Sequence, residues 1–278
     1  MIRNLHTIHF LKDCTKKNNL GKFLLIIVLS QLAYFPLIAD DTSQNDSLQH
    51  LFETDTTFTE VQRLNLAISL SELFKKSTPE KADEYNLSAI NIAIKLNDTT
   101  SIIKLFISLA ESKNSQCKYN DANNNLQLVL KIINNYNSES DLANINYLIA
   151  DNFFDWSKYH KSKEHYEIAF TIFQKLKDKK GIAKTLIGLS SIASNYGDYE
   201  VSIGYMQRAK DIYIEIDDPG NLVSTSLGLG VILESWGKND KALEYYKSAY
   251  VEFKKMHNKI QEINTSLHIG DILLKQNK

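Results

Sequence analysis

Between Tyr199 and Ile216 the apolar residues Ile203, Met206, Ala209, Ile212, Tyr213 and Ile216 recur at steps of three or four, the spacing that buries one face of a helix. The polar run DDPGN follows at Asp217 to Asn221, where Asp218, Pro219 and Gly220 supply stop and start chemistry. A second helical stripe then runs through Leu229, Ile232, Leu233 and Trp236. The predicted unit is helix, turn, helix, turn. It is copied at a fixed step of 40 residues: Ala89, Val129, Ala169, Ala209 and Ala249 form one column, Ala93, Ile133, Phe173, Tyr213 and Phe253 a second, and Asn86, Leu126, Tyr166, Met206 and Tyr246 a third. The polar turn recurs as Asp98, Ser138, Asp178, Asp218 and Asn258. A period of this size marks stacked repeats, in which each hairpin buries its apolar face only against its neighbours.

Composition supports long helices. The 278 residues hold 3 Pro and 10 Gly, too few breakers for the many turns of a sandwich or barrel. One further column, Ala110, Ala150, Ser190, Gly230 and Gly270, stays small. Small side chains at a crossing let two helix backbones approach. Glycine inside a helix costs roughly 1 kcal/mol relative to alanine, so two of them at one repeat position imply a steric demand, and leucine at Gly230 is expected to push its helix pair apart.

These residues carry a resemblance. Leu229–Gly230 and Ile269–Gly270 in the first helix, Gly197–Asp198–Tyr199 at the turn, and Ala242, Tyr245, Tyr246 and Ala249 in the second helix resemble the tetratricopeptide repeat. The likeness covers residues 59–278, in approximate units 59–98, 99–138, 139–178, 179–218, 219–258 and a partial 259–278, after a polar linker at 40–58. The 40-residue unit is longer than the usual ~34 residues and resembles the longer-helix variant with a D-K-K-G turn, here Asp178 to Gly181. The resemblance implies an all-α solenoid of stacked antiparallel helix pairs in a right-handed superhelix, with the first helix of each pair lining the concave surface.

The first 39 residues read differently. Arg3, Lys12, Lys16, Lys17 and Lys22 precede the apolar run Phe23 to Ala39, FLLIIVLSQLAYFPLIA. A basic start and a short apolar segment make a secretory signal peptide, or an N-terminal membrane anchor if uncleaved; Ser30, Gln31 and Pro36 interrupt it, and a span needs ~20 apolar residues. The repeats are therefore expected outside the inner membrane, periplasmic or anchored, with membrane contact only through 23–39. Cleavage after Ala39 removes five cations and one acid and takes the net charge from −1 to −5. That leaves no basic footprint for nucleic acid, and the run Lys175 to Lys180 reads as a solvated turn. Cys117 is the one cysteine outside the signal, so packing rather than a disulfide must hold the chain together.

No phosphate-binding loop, dinucleotide fingerprint, nucleophile elbow or zincin motif occurs, and His160 and His165 are five apart, off the geometry of a helical metal pair. No catalytic residue, metal or cofactor is assigned, and the chain is read as a non-enzyme. Counting from the small residue of each first helix gives a concave lining of Lys104, Glu111 and Asn114, then Asn144, Tyr147 and Asp151, then Lys184, Ser191 and Asn195, and finally Glu234. Tetratricopeptide domains that clamp a peptide carboxylate resemble one another in having Lys three before the small residue and Asn one after it. Here those pairs are Ile107 with Glu111, Tyr147 with Asp151, Ile187 with Ser191 and Leu227 with Val231, so the clamp is absent. An apolar strip with scattered polar groups remains, suited to a helix or an extended segment of a protein or peptide partner.

Two functions follow from the resemblance. The first is an exported, non-enzymatic interaction module, the sensory or scaffold part of a bacterial signal-transduction protein. In this reading the chain is truncated after Lys278, where Ile269, Ile272 and Leu273 have an open side for self-association or a continuing helix. The alternative is a free-standing periplasmic scaffold or assembly factor for envelope proteins. A third, an intracellular peptide-sensing regulator, needs the segment 23–39 retained.

Overall fold

The computed structural model describes residues 42–55, 57–135 and 138–276. The expected signal, 1–39, lies outside them. The described residues form twelve helices: α1 (Thr42–Thr54), α2 (Glu60–Phe74), α3 (Pro79–Lys95), α4 (Thr99–Ser115), α5 (Tyr119–Asn134), α6 (Glu139–Asp155), α7 (Tyr159–Leu176), α8 (Lys179–Asn195), α9 (Tyr199–Glu215), α10 (Pro219–Ser235), α11 (Asn239–Lys255) and α12 (Lys259–Gln276). From α4 onward the first helices start at 99, 139, 179, 219 and 259, and the second helices at 119, 159, 199 and 239. The described helices gather into two compact units, divided between Lys118 and Tyr119.

The turns show why the spacing stays constant. Each helix from α3 to α11 whose end is described closes on a residue in the left-handed region: Asn97, Cys117, Ser157, Lys177, Gly197, Asp217, Gly237 and His257. The next amide then reaches back five residues, as in Asp178 N–H to Phe173 C=O at 3.0 Å and Lys238 N–H to Leu233 C=O at 2.8 Å, which satisfies carbonyls that the helix end leaves open. Gly197 and Gly237, with φ of 82° and 76°, take this conformation without strain. Two of these turns are further clamped by a lysine over a tryptophan, Lys158 on Trp156 and Lys238 on Trp236.

The recurring polar column is a set of N-caps. Side chains of Asp98, Ser138, Asp178, Asp218 and Asn258 each accept the backbone N–H three residues on, in Ser101, Asp141, Gly181, Asn221 and Gln261. Hydrogen bonding at these caps, more than any nearby cation, holds the Asp98 and Asp218 carboxyls below their usual range. Replacing Asp178 with alanine is expected to cost about 1 kcal/mol of stability. Asp198→Ala should cost much less, because the Asp198 side chain caps nothing; thermal melts of the two variants make the comparison.

In the first unit, α2 and α3 form a hairpin and α4 packs on α3. Leu64, Ala67, Ala89, Ala93, Leu105 and Leu109 make one buried cluster. Asp83, buried on α3, accepts hydrogen bonds from Ser112 and Lys113 of α4 and from its C-cap Gln116 at 2.6, 2.7 and 2.9 Å; burial raises its pKa, but these donors outweigh it and leave the carboxyl below its ordinary value. One expectation is corrected here. The stretch read as a polar linker, 40–58, contains helix α1, whose Leu48, Leu51 and Phe52 pack on Leu66, Leu70, Phe74 and Tyr85. Three apolar residues at i, i+3 and i+4 suffice for docking, and the polar residues around them mask the stripe.

In the second unit, helix pairs α6 with α7, α8 with α9 and α10 with α11 stack in chain order and α12 packs on α11. The periodic columns are its core: Ala169, Ala209 and Ala249, then Phe173, Tyr213 and Phe253, then Tyr166, Met206 and Tyr246 are all buried. At the small column, Ser190 exchanges hydrogen bonds with Ser202 across the hairpin. A Cβ on Gly230 would stand 2.6 Å from the Tyr246 ring, whereas one on Gly270 meets nothing within 4 Å. The steric demand read for both glycines therefore holds at Gly230 only, because no aromatic ring lies over Gly270. On the same helix Ile260, Ile263, Leu267 and Leu274 are exposed, between 58% and 72%, while Ile272 faces Leu233 and Tyr246.

Candidate functional site

The lining residues fall into two groups. Lys104, Glu111 and Asn114 lie on α4 of the first unit, where Glu111 stands 3.7 Å from Lys75. The other seven lie in the second unit. Three of these turn back on their own helices: the Asn144 amide donates to Ser140 C=O, the Ser191 hydroxyl to Ile187 C=O, and the Asn195 amide to Ser191 C=O. Asn195 also accepts the Tyr159 hydroxyl at 3.2 Å. Glu234 is committed to packing. It accepts the Tyr246 hydroxyl at 2.8 Å and Lys275 at 2.9 Å, with His268 at 3.4 Å. Burial raises its pKa, but Lys275 and Tyr246 prevail and keep it below its usual value.

Tyr147, Asp151 and Lys184 form a different group. The first two are one turn apart on α6, half-buried. Tyr166, rising from α7, donates its hydroxyl to Asp151 Oδ1, and its ring centroid lies 5.7 Å from that of Tyr147. Tyr147 is a second hydroxyl neighbour of the same carboxyl. The Tyr166 ring reaches this position because Gly188 on α8 has no side chain: a Cβ there would fall 2.3 Å from the ring's Cζ. Lys184, exposed on α8, biases Asp151 toward its charged form from a distance and makes no ion pair with it among the described residues. Burial dominates: the Asp151 pKa is pushed up from the ordinary 3.8 to about 6, against the lowering effect of its tyrosine donors and Lys184. Both phenols are pushed well above their usual range by burial first and by the adjacent carboxylate second.

Two carboxylates in one unit thus have opposite fates. Glu234 has a lysine and a histidine, while Asp151 has two phenols and no cation in contact. Sequence counting found Tyr147 and Asp151 but placed Tyr166 in the core only and passed over Gly188. A buried tyrosine must seat its hydroxyl, and a carboxylate 15 residues upstream is the signal that pointed to the partner. A shallow cleft of about 460 Å³ lies along α7, lined by Glu164, Glu167, Ile168, Thr171 and Ile172; it is open and has no converging groups from a second helix. Among the described residues no three of His, Cys, Asp and Glu gather to hold a metal ion, and no helix is long and apolar enough to cross a membrane.

Stacked antiparallel helix pairs with this turn and column chemistry are the tetratricopeptide-repeat fold. No family model matches the sequence and no curated protein matches it, but solved structures do. Aspartyl phosphate phosphatase F from Bacillus subtilis is 17% identical with a TM-score of 0.70, over 94% of this chain and 67% of that one. A putative kinesin light chain from Podosopora anserina with nearly identical TPR-like repeats is 13% identical with a TM-score of 0.59, over 72% and 99%. A Rap protein in complex with Competence and Sporulation Factor is 14% identical with a TM-score of 0.55, over 83% and 70%. The shared property is the fold.

Proposed function

We propose that the chain is a non-enzymatic module that binds a peptide or protein segment on its first-helix face, and that it works exported, as the sensory or scaffold part of a signal-transduction protein. The observation that supports it most is the Tyr147–Asp151–Tyr166 group, a half-buried carboxylate on an accessible face of a repeat scaffold. A structural role alone gives no reason to keep such a group, since a buried charge is costly unless paired. The Rap protein of like fold was crystallised with Competence and Sporulation Factor, which supports the same kind of use here. The basic start and apolar run before residue 40 support export. Cell fractionation with N-terminal sequencing tests this: export predicts a product outside the cytoplasm, either beginning near residue 40 or retaining 23–39 in the membrane. An intact product in the cytosol contradicts it.

The free-standing scaffold reading draws on the exposed stripe Ile260, Ile263, Leu267 and Leu274 on α12, a second apolar face of the kind that marks an association surface. It predicts that Leu267→Glu alters the mass measured by light scattering; unchanged mass for both proteins, equal to the monomer, removes its support.

A further inference from the structure

We propose that Asp151, flanked by Tyr147 and Tyr166, anchors a cationic side chain, arginine or lysine, of the peptide bound along α6 and α8. This rests on the interaction-module reading above and adds the chemistry of the ligand. The Tyr166 hydroxyl donates to Asp151 Oδ1 and Tyr147 is a second phenol donor to the same carboxyl, which fixes the carboxylate's direction while its remaining lone pairs can still accept from a cationic donor. The groups that surround it are Tyr147 and Asp155 on α6, Tyr166 on α7 and Lys184 on α8. Two of these add no positive charge, Asp155 adds negative charge, and the one cation stays beyond ion-pair distance. A carboxylate so placed is short of a partner, and charge-assisted hydrogen bonds to a guanidinium or ammonium are the strongest that a side chain can offer it. Half-buried Tyr147 adds a ring face beside the carboxylate, where a cation can stack.

The contrast within the same unit argues that this is a ligand position and not a stray charge. Glu234 has the same kind of phenol donor, Tyr246, at 2.8 Å, and its counter-ion Lys275 comes from α12, which also brings the His268 ring to 3.4 Å. Asp151 has its phenols without a counter-ion in contact. Position 191, its equivalent one repeat on, is serine, so the phenol-flanked carboxylate is not repeated on α8 and the peptide's cation sets the register. Lys184 competes for that anchor, and its removal should tighten binding.

The test is a random heptapeptide library panned against the full chain, with Asp151→Asn and Glu200→Gln chains in parallel. Glu200 is exposed on α9, outside the face. The expected result is enrichment of peptides with one fixed arginine or lysine, an affinity that falls tenfold or more when that residue is replaced by citrulline or norleucine, and the same fall with Asp151→Asn. Combining both changes should cost no more than either alone. Glu200→Gln should bind as the parent does, and Lys184→Ala more tightly. Bound peptides without a common cation, or undiminished binding to Asp151→Asn, overturn the anchor while leaving the interaction module standing. A library from which nothing is retained overturns both. Matching far-UV circular dichroism of the variants separates lost binding from lost fold.

Discussion

Alanine at Gly230 is expected to destabilise the chain by about 1–3 kcal/mol, whereas alanine at Gly270, the same position one repeat later, should stabilise it by about 0.5–1 kcal/mol. At Gly230 the new Cβ would lie 2.6 and 2.8 Å from two ring carbons of Tyr246. That ring cannot swing aside, because it is fully buried, its hydroxyl is held by Glu234 and its face is stacked 4.8 Å from His268. At Gly270 nothing stands within 4 Å, so only the gain in helix propensity remains. Chemical denaturation of the two variants gives opposite signs if the aromatic wedge sets the spacing of the pair. Equal effects would mean that backbone propensity alone governs this column.

Asp151→Asn is expected to be more stable than the parent chain by about 2–3 kcal/mol above pH 6 and indistinguishable from it near pH 3.5. Burial raises the pKa of Asp151 from 3.8 in the unfolded chain to about 6 in the folded one. Between those values the folded chain holds the proton more tightly. The protonated side chain's stabilisation is complete below pH 4 and is lost as pH rises through 6, where the carboxylate must ionise inside the fold. Asparagine keeps an acceptor for Tyr166 and has no proton to lose. Melting curves from pH 3.5 to 7.5 for both chains test this. Parallel curves would show that Asp151 is solvated or paired. A residue that destabilises its fold at neutral pH is one whose replacement should improve stability at the expense of function, and the same substitution is the one expected to abolish recognition of a cationic peptide.

The fold was legible because one physical rule repeats. A helix buries a face at steps of three and four, the hairpin must stack to bury it, and a fixed step of 40 kept Phe173, Tyr213 and Phe253 in one seam. The cap column was legible for the same reason, since Asp98, Asp178 and Asp218 each accept a helix-start amide that has no acceptor within its own helix. Helix α1 was not, because its Leu48, Leu51 and Phe52 form too short a stripe to stand out from polar neighbours. The left-handed turns at Cys117, Ser157 and Lys177 were equally hidden, since none carries the glycine that advertises such a backbone. The candidate site was half legible. Counting along α6 reached Tyr147 and Asp151, but pairing Asp151 with Tyr166 and opening the space at Gly188 depend on three helices at once. That Glu234 is spent on Lys275 depends on α12, a contact 41 residues away in sequence.

Site-resolved photo-crosslinking in the cell tests the central claim most directly. A benzoyl-phenylalanine at Lys184 or Ser191 is predicted to capture one discrete species, lost with Asp151→Asn, while the same probe at Glu200 on α9 captures none. Capture of the same species from Glu200, or of nothing from Lys184 and Ser191, would contradict the assignment of the α6–α8 face as the binding surface.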